Sequence, residues 1–133
     1  MIYLKTTIDS LGREQTVRIA NMALRWCKRE LGVNRRKKYE PVWSIVRGYD
    51  TDVGEYDADE NCVYVYWDNC DNVEELIRTC IHEWTHQNQP IKTKYFKYPG
   101  SYSRNPYERA ARYAEDKHYR QCWDYIKPII NKK

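Results

Sequence analysis

Residues 72–88 read NVEELIRTCIHEWTHQN, and this stretch decides the fold. Asn72 offers a side-chain acceptor for a helix start, and Glu75 stands three residues on, the spacing of a capping box. Val73, Leu76, Ile77, Cys80, Ile81 and Trp84 then recur at helical spacing, which makes one face apolar throughout. A helix is predicted over 72–88 with that stripe in the core. It carries His82-Glu83-Trp84-Thr85-His86, an HExxH pattern. Four residues leave the two imidazoles about 40° apart and about 6 Å along the axis, so both can reach one metal ion. Glu83 lies about 100° round from His82, in position to touch a water on that ion and act as general base. In a chain with three His and ten Glu, about 0.005 such matches are expected by chance.

Upstream of this helix, Cys62 to Trp67 alternate with a two-residue period and read as a strand, with Gly54 to Tyr56 as a short partner. Pro41 to Val46 read as another strand. From Leu11 to Leu31 the apolar spacing is helical, with Ser10 as N-cap and Gly32 as the stop. Downstream, Pro90 opens a loop over 91–104, and Asn105-Pro106 starts a last helix through about Tyr119 or beyond, limited by Pro128. The fold class expected is α+β: a small mixed sheet, an N-terminal helix, the HExxH helix and a C-terminal helix, in one domain over 1–133.

At 133 residues the chain has room for one substantial core. Thirteen Tyr and five Trp argue against disorder. No apolar run approaches the ~18 residues of a membrane span, and residues 1–10 do not read as a signal peptide, so a cytoplasmic monomer is expected. Five cysteines without a CxxC pair point to reduced thiols. The net charge of +4 hides a segregation: residues 50–75 hold ten acids and no Lys or Arg, so that span carries −10 and the remainder +14. Such a split can steer ligands to one face or simply solvate loops and edges.

A catalytic zinc ion usually takes three protein ligands and keeps a fourth position for water. Glu108, 22 residues after His86, is the first candidate for the third; alternatively it occupies N3 of the helix capped by Asn105 and closes a capping box. Glu115 and His118 are rivals, but they stand about 10 and 15 Å further along the same helix and cannot share its ion. His118 also reads as part of the flank formed by Tyr107, Ala111 and Ala114.

The run from Asp57 to Ala114, with its strand, EELIRTCIHEWTHQ and NPYERAAR, resembles small zincin metallopeptidases of the gluzincin type, including minimal and phage-encoded forms. The resemblance covers a little under half the chain, and HExxH is its one highly specific motif. It implies a zincin-like fold, Zn2+ held by His82, His86 and Glu108, and Glu83 as base. Many gluzincins have an Asp four residues after the ligand Glu; here that position is Arg112, so the second partner of a motif histidine must come from elsewhere.

The implied activity is that of a zinc metalloendopeptidase, a hydrolase acting on a peptide or protein substrate through a zinc-activated water. The oxyanion needs a further donor. Tyr95, Tyr98 and Tyr102 in the loop between the ligand helices carry suitable phenols, with Tyr102 preferred. Cys62 to Trp67 would be the edge strand along which substrate lies, and its acidic surroundings point either to basic substrates or to protection of the edge. The alternative function is a nucleic-acid-associated binding module or a DNA-targeted protease, based on Lys92, Lys94, Lys97 and Arg104 interleaved with Tyr95, Phe96, Tyr98 and Tyr102 and extended by Arg35 to Lys38. SprT-like proteases supply a third His soon after the motif, and this chain has none before His118. Asp57-x-Asp59-x-Asn61 to Asp68 is not read as a calcium loop, because Cys62 stands where Gly belongs.

Overall fold

The computed structural model describes residues 1–90 and 105–132. Three α-helices and a three-stranded sheet form in the order α1 (Ile8–Glu30), β1 (Val42–Val46), β2 (Gly54–Asp57), β3 (Cys62–Tyr66), α2 (Val73–Asn88) and α3 (Pro106–Ile130), with one 3₁₀ turn at Trp67–Asn69. The architecture is mixed α+β.

The expected stripe on α2 is the centre of the core: Val73, Leu76, Ile77, Cys80, Ile81 and Trp84 are all fully buried. Helices α1 and α3 and strands β2 and β3 pack around it. Trp84 meets the edge of Trp43 at 6.0 Å between ring centroids and donates its indole N–H to the Gly32 carbonyl at 2.9 Å. Gly32 has φ +78°, the left-handed conformation that ends α1, and its carbonyl also accepts from Gln87 and Asn88. The stop of α1 is thereby fastened to the last turns of α2. All five cysteines are buried free thiols.

The start of α2 is satisfied from two sides. Asn72 Oδ1 accepts from the Glu75 amide at 2.9 Å, while the Glu75 carboxylate reaches back to the Asp71 amide at 2.7 Å, one residue before the position a capping box would use. The amides of Val73 and Glu74 donate to the carbonyls of Thr6 and Leu4, so the N-terminal segment takes up helix donors that would otherwise lack partners.

The sheet corrects one expectation. Its order is β1-β3-β2, with β1 parallel and β2 antiparallel to β3, so Cys62–Tyr66 is the central strand. Alternation of Val63 and Val65 with Tyr64 and Tyr66 shows a pleated strand but carries no information about whether both edges are paired. The edge beside α2 is β2. Helix boundaries differ as well. Thr7, not Ser10, is the N-cap of α1, because a turn from Ile8 precedes the non-helical Gly12 (φ 79°) and buries Ile8. Pro128 does not stop α3, which runs to Ile130: in the last turn a proline interrupts little, and the Asn131 amide still closes on the Lys127 carbonyl.

Candidate metal centre

Helix periodicity puts His82 and His86 one turn apart, with ring centroids 4.9 Å apart and nearly perpendicular planes. Helix α3 crosses them at its first turn. Asn105 caps that turn by accepting from the Tyr107 amide, and Pro106 supplies a preset φ at the first helical position. Glu108 is buried there, its Oε1 2.5 Å from His86 Nε2 and its Oε2 3.2 Å from His82 Nε2. The carboxylate is thus directed at the two imidazoles. His82, His86 and Glu108 form a buried group able to hold a metal ion.

The chemistry of the donor set fits that use. Both imidazoles have their other nitrogen occupied: His82 Nδ1 lies 2.5 Å from Glu115 Oε2, and His86 Nδ1 lies 2.8 Å from Gln89 Oε1. With Nδ1 so engaged, each Nε2 is the nitrogen left to face Glu108. Ligands of a tetrahedral zinc ion lie about 3.3 Å from one another, given metal–ligand bonds of about 2.0–2.2 Å. The His82–Glu108 spacing already matches that, and the 2.5 Å contact at His86 is one an ion would replace.

Glu115, seven residues beyond Glu108, is not part of the His82, His86 and Glu108 group; it contacts the other ring nitrogen of His82. Seven residues are two helical turns, so Glu108 and Glu115 share one face of α3 and meet opposite sides of the His82 ring. Arg78, one turn before His82, backs Glu115 at 3.8 Å, binds Asp116 at 2.7 Å and Glu74 at 3.0 Å, and lies over the Tyr119 ring. Gln89 was not singled out by sequence. It donates to the Tyr107 carbonyl at 3.0 Å while facing His86, so one amide ties the end of α2 to the start of α3. Its spacing of three from His86 was the available signal. His118 lies apart, 6.1 Å from the Trp26 ring centroid.

Glu83 is buried beside this group. Burial pushes its carboxyl up to about 7; charge on His82 and His86 holds it down in part, and Glu108 and Glu115 add to the rise. For His82 in the metal-free protein, burial works against charge, but the hydrogen bonds to Glu108 and Glu115 and the neighbouring Glu83 outweigh it and carry the pKa up to about 10. A cleft of about 460 Å³ opens onto His82, Glu83, Glu115 and Arg112 and extends past Gly54 to Asp52 and Asn72. Gly54, at the start of β2, comes so close to α2 that a Cβ there would stand 2.7 Å from Thr79 Cγ2 and 3.0 Å from Glu83 Cγ.

Tyr95, Tyr98, Tyr102 and the basic and aromatic stretch 92–104 lie outside the described residues. The pattern Asp57 to Asn61 forms the β2–β3 turn, in which Asp57 Oδ1 accepts from the amides of Asp59 and Glu60. No helix among the described residues is long and apolar enough to cross a membrane. Comparison of the chain with protein-family models, with curated proteins and with solved structures gives no match.

Proposed function

We propose that the chain is a zinc-dependent metallopeptidase with a zincin-like arrangement of a short sheet beside an HExxH helix. The observation that carries this reading is the meeting of His82 and His86 Nε2 with the Glu108 carboxylate, next to a buried Glu83 that opens onto a cleft. His82, His86 and Glu108 would hold the ion. When bound, zinc supplies Lewis acidity, polarising a carbonyl and lowering the pKa of water from 15.7 toward ~7.

The remaining work falls to the chain. Glu83 takes the proton of the attacking water and returns it to the leaving amine, the task of a buried carboxylate that stands beside the ion without binding it. Glu115 and Gln89 fix the two imidazoles so that Nε2 faces the ion. Gly54 lets the edge strand β2 approach Glu83, which puts an extended substrate chain along β2 within reach of the base. Tyr102 remains the proposed donor to the oxyanion.

The test is Glu83→Gln. At unchanged zinc content, measured by elemental analysis, peptide or casein hydrolysis is expected to fall by at least the ~10² to 10⁴ that general-base catalysis contributes. Equal inertness of wild type and variant across a broad peptide library would end the peptidase reading.

A further inference from the structure

The edge strand β2 has a cavity at each end. At Gly54 it begins in the cleft that His82 and Glu83 line, and just beyond Asp57 it runs into a second cavity of about 450 Å³ lined by Arg36, Lys37, Lys38, Tyr39, Asn61 and Asp59, among others. Four strand residues span about 13 Å, so one extended peptide on this edge can reach from the first cavity to the second.

The second cavity is built around a basic turn that, among the described residues, is held in place by neutral groups. Asn34 accepts from the Arg36 amide through its side chain, and its own amide donates to the buried Gln87 of α2. The Lys37 ammonium donates to the Tyr56 hydroxyl, which donates to Asn61 Oδ1 at 2.5 Å; Asn61 Nδ2 in turn donates to the Tyr39 carbonyl at 2.7 Å. A neutral relay from β2 thus fixes both the turn and the lysine. Lys37 is half-buried, and burial lowers its pKa. Arg35, Arg36 and Lys38 are exposed and form no ion pair among the described residues, whereas Lys28 and Arg29 at the end of α1 are matched by Glu40 and Glu30. Asp59 is the one acid among the described residues that line the cavity.

The geometry points to a substrate subsite for an anionic side chain, formed by Arg36, Lys37 and Lys38 at the Asp57 end of β2, so that peptides carrying Asp or Glu about three to four residues from the scissile bond are preferred. This rests on the peptidase reading for the identity of the ligand. It also refines the inference from composition that acidic surroundings select basic substrates: the first cleft is lined by Asp52, Glu74, Glu75 and Glu115, whereas among the described residues the cavity past Asp57 is lined by three basic residues and one acid, Asp59.

The experiment measures binding of fluorescent peptides by anisotropy to the full-length Glu83→Gln protein, using an acidic peptide and a neutral one of the same length. The acidic peptide is expected to bind about tenfold more tightly at low salt, and the advantage is expected to vanish in the Arg36→Glu, Lys38→Glu double variant. Both positions are exposed, so the variant should melt like its parent; Lys37→Ala, which disturbs the Tyr56 relay, is a secondary variant. Equal binding of the two peptides, or an advantage untouched by charge reversal, overturns the subsite. So does binding of a single-stranded oligonucleotide, lost on the same reversal, by a protein indifferent to peptide charge. Failure of wild type to hydrolyse any peptide while the charge preference persists overturns the peptidase reading and leaves an anion site; hydrolysis without charge preference overturns the subsite alone.

Discussion

Helix α2 has two working faces, held by different physics. Its core face, from Val73 to Trp84, is fully buried and non-directional in its demands: apolar area out of water and close packing. Its site face, with Arg78, His82, His86 and then Gln89 at the cap, is a series of directional contacts in which each polar atom has a particular partner. Among the described residues no buried side-chain polar atom is left without a partner. The core face makes the helix, and the site face uses it. Damage to the first should therefore appear as lost stability, and damage to the second as lost metal affinity at nearly constant stability.

Trp84 tests that separation most severely, because it lies inside the HExxH pattern but belongs to the core. Trp84→Ala removes a fully buried ring, its edge contact with Trp43 and its bond to Gly32, and is expected to cost about 3–5 kcal/mol of unfolding free energy. Denaturant melts read it directly; a wild-type midpoint would mean the two faces are not distinct. Glu108→Ala is the converse. It should abolish tight metal binding, an effect larger than the about 10- to 100-fold loss typical of a supporting residue, while the metal-free protein keeps its fold. Chelator competition measures the affinity and far-ultraviolet dichroism the fold.

Next come the two supports. Glu115 is a carboxylate anchored by Arg78, and Gln89 is a neutral amide anchored by the Tyr107 carbonyl. Glu115→Ala should lower metal affinity by about 10- to 100-fold and Gln89→Ala by about tenfold, since a hydrogen bond to a charged acceptor is roughly twice as strong as a neutral one. Equal losses would mean that both supports act only by holding the rings in position.

The same division explains what sequence could disclose. The core face was legible because 3.6-residue periodicity is a local signal, and so were the cap at Asn72 and the stop at Gly32. The HExxH pair was legible for the same reason, with both histidines on one helix. The rest depends on how elements cross. Nothing in the alternation from Cys62 to Tyr66 tells that β1 and β2 take both of its edges. The position of Glu115 on α3 was known, but its pairing with His82 follows from the crossing of α2 and α3, which local periodicity does not encode. Glu108 could be named from its spacing yet not separated from a cap, because both roles need the same residue in the same first turn. The charge total for residues 50–75 was equally mute about β2, whose two ends face opposite charge.

The smallest effect separates charge from position at Glu115. Glu115→Gln keeps an acceptor beside His82 Nδ1 but removes an anion. In the metal-free protein His82 titrates near 10, against an ordinary value of 6.5. Because the folded state binds this proton more tightly, the charged His82 contributes stability fully present below about pH 6.5 and lost as pH rises toward about 10. The same proton competes with the ion, so wild-type metal affinity is expected to rise with pH over that interval. In Glu115→Gln one of the groups that raise the pKa is weakened, and the competition ends at lower pH. The imidazole also becomes a poorer donor to the ion. Near neutral pH these changes oppose each other, and affinity should differ from wild type by less than about tenfold, well short of the Glu115→Ala loss. The distinguishing result is the slope: chelator competition at several pH values should give a flatter profile for Glu115→Gln than for wild type. Parallel profiles would show that Glu115 positions His82 without setting its charge.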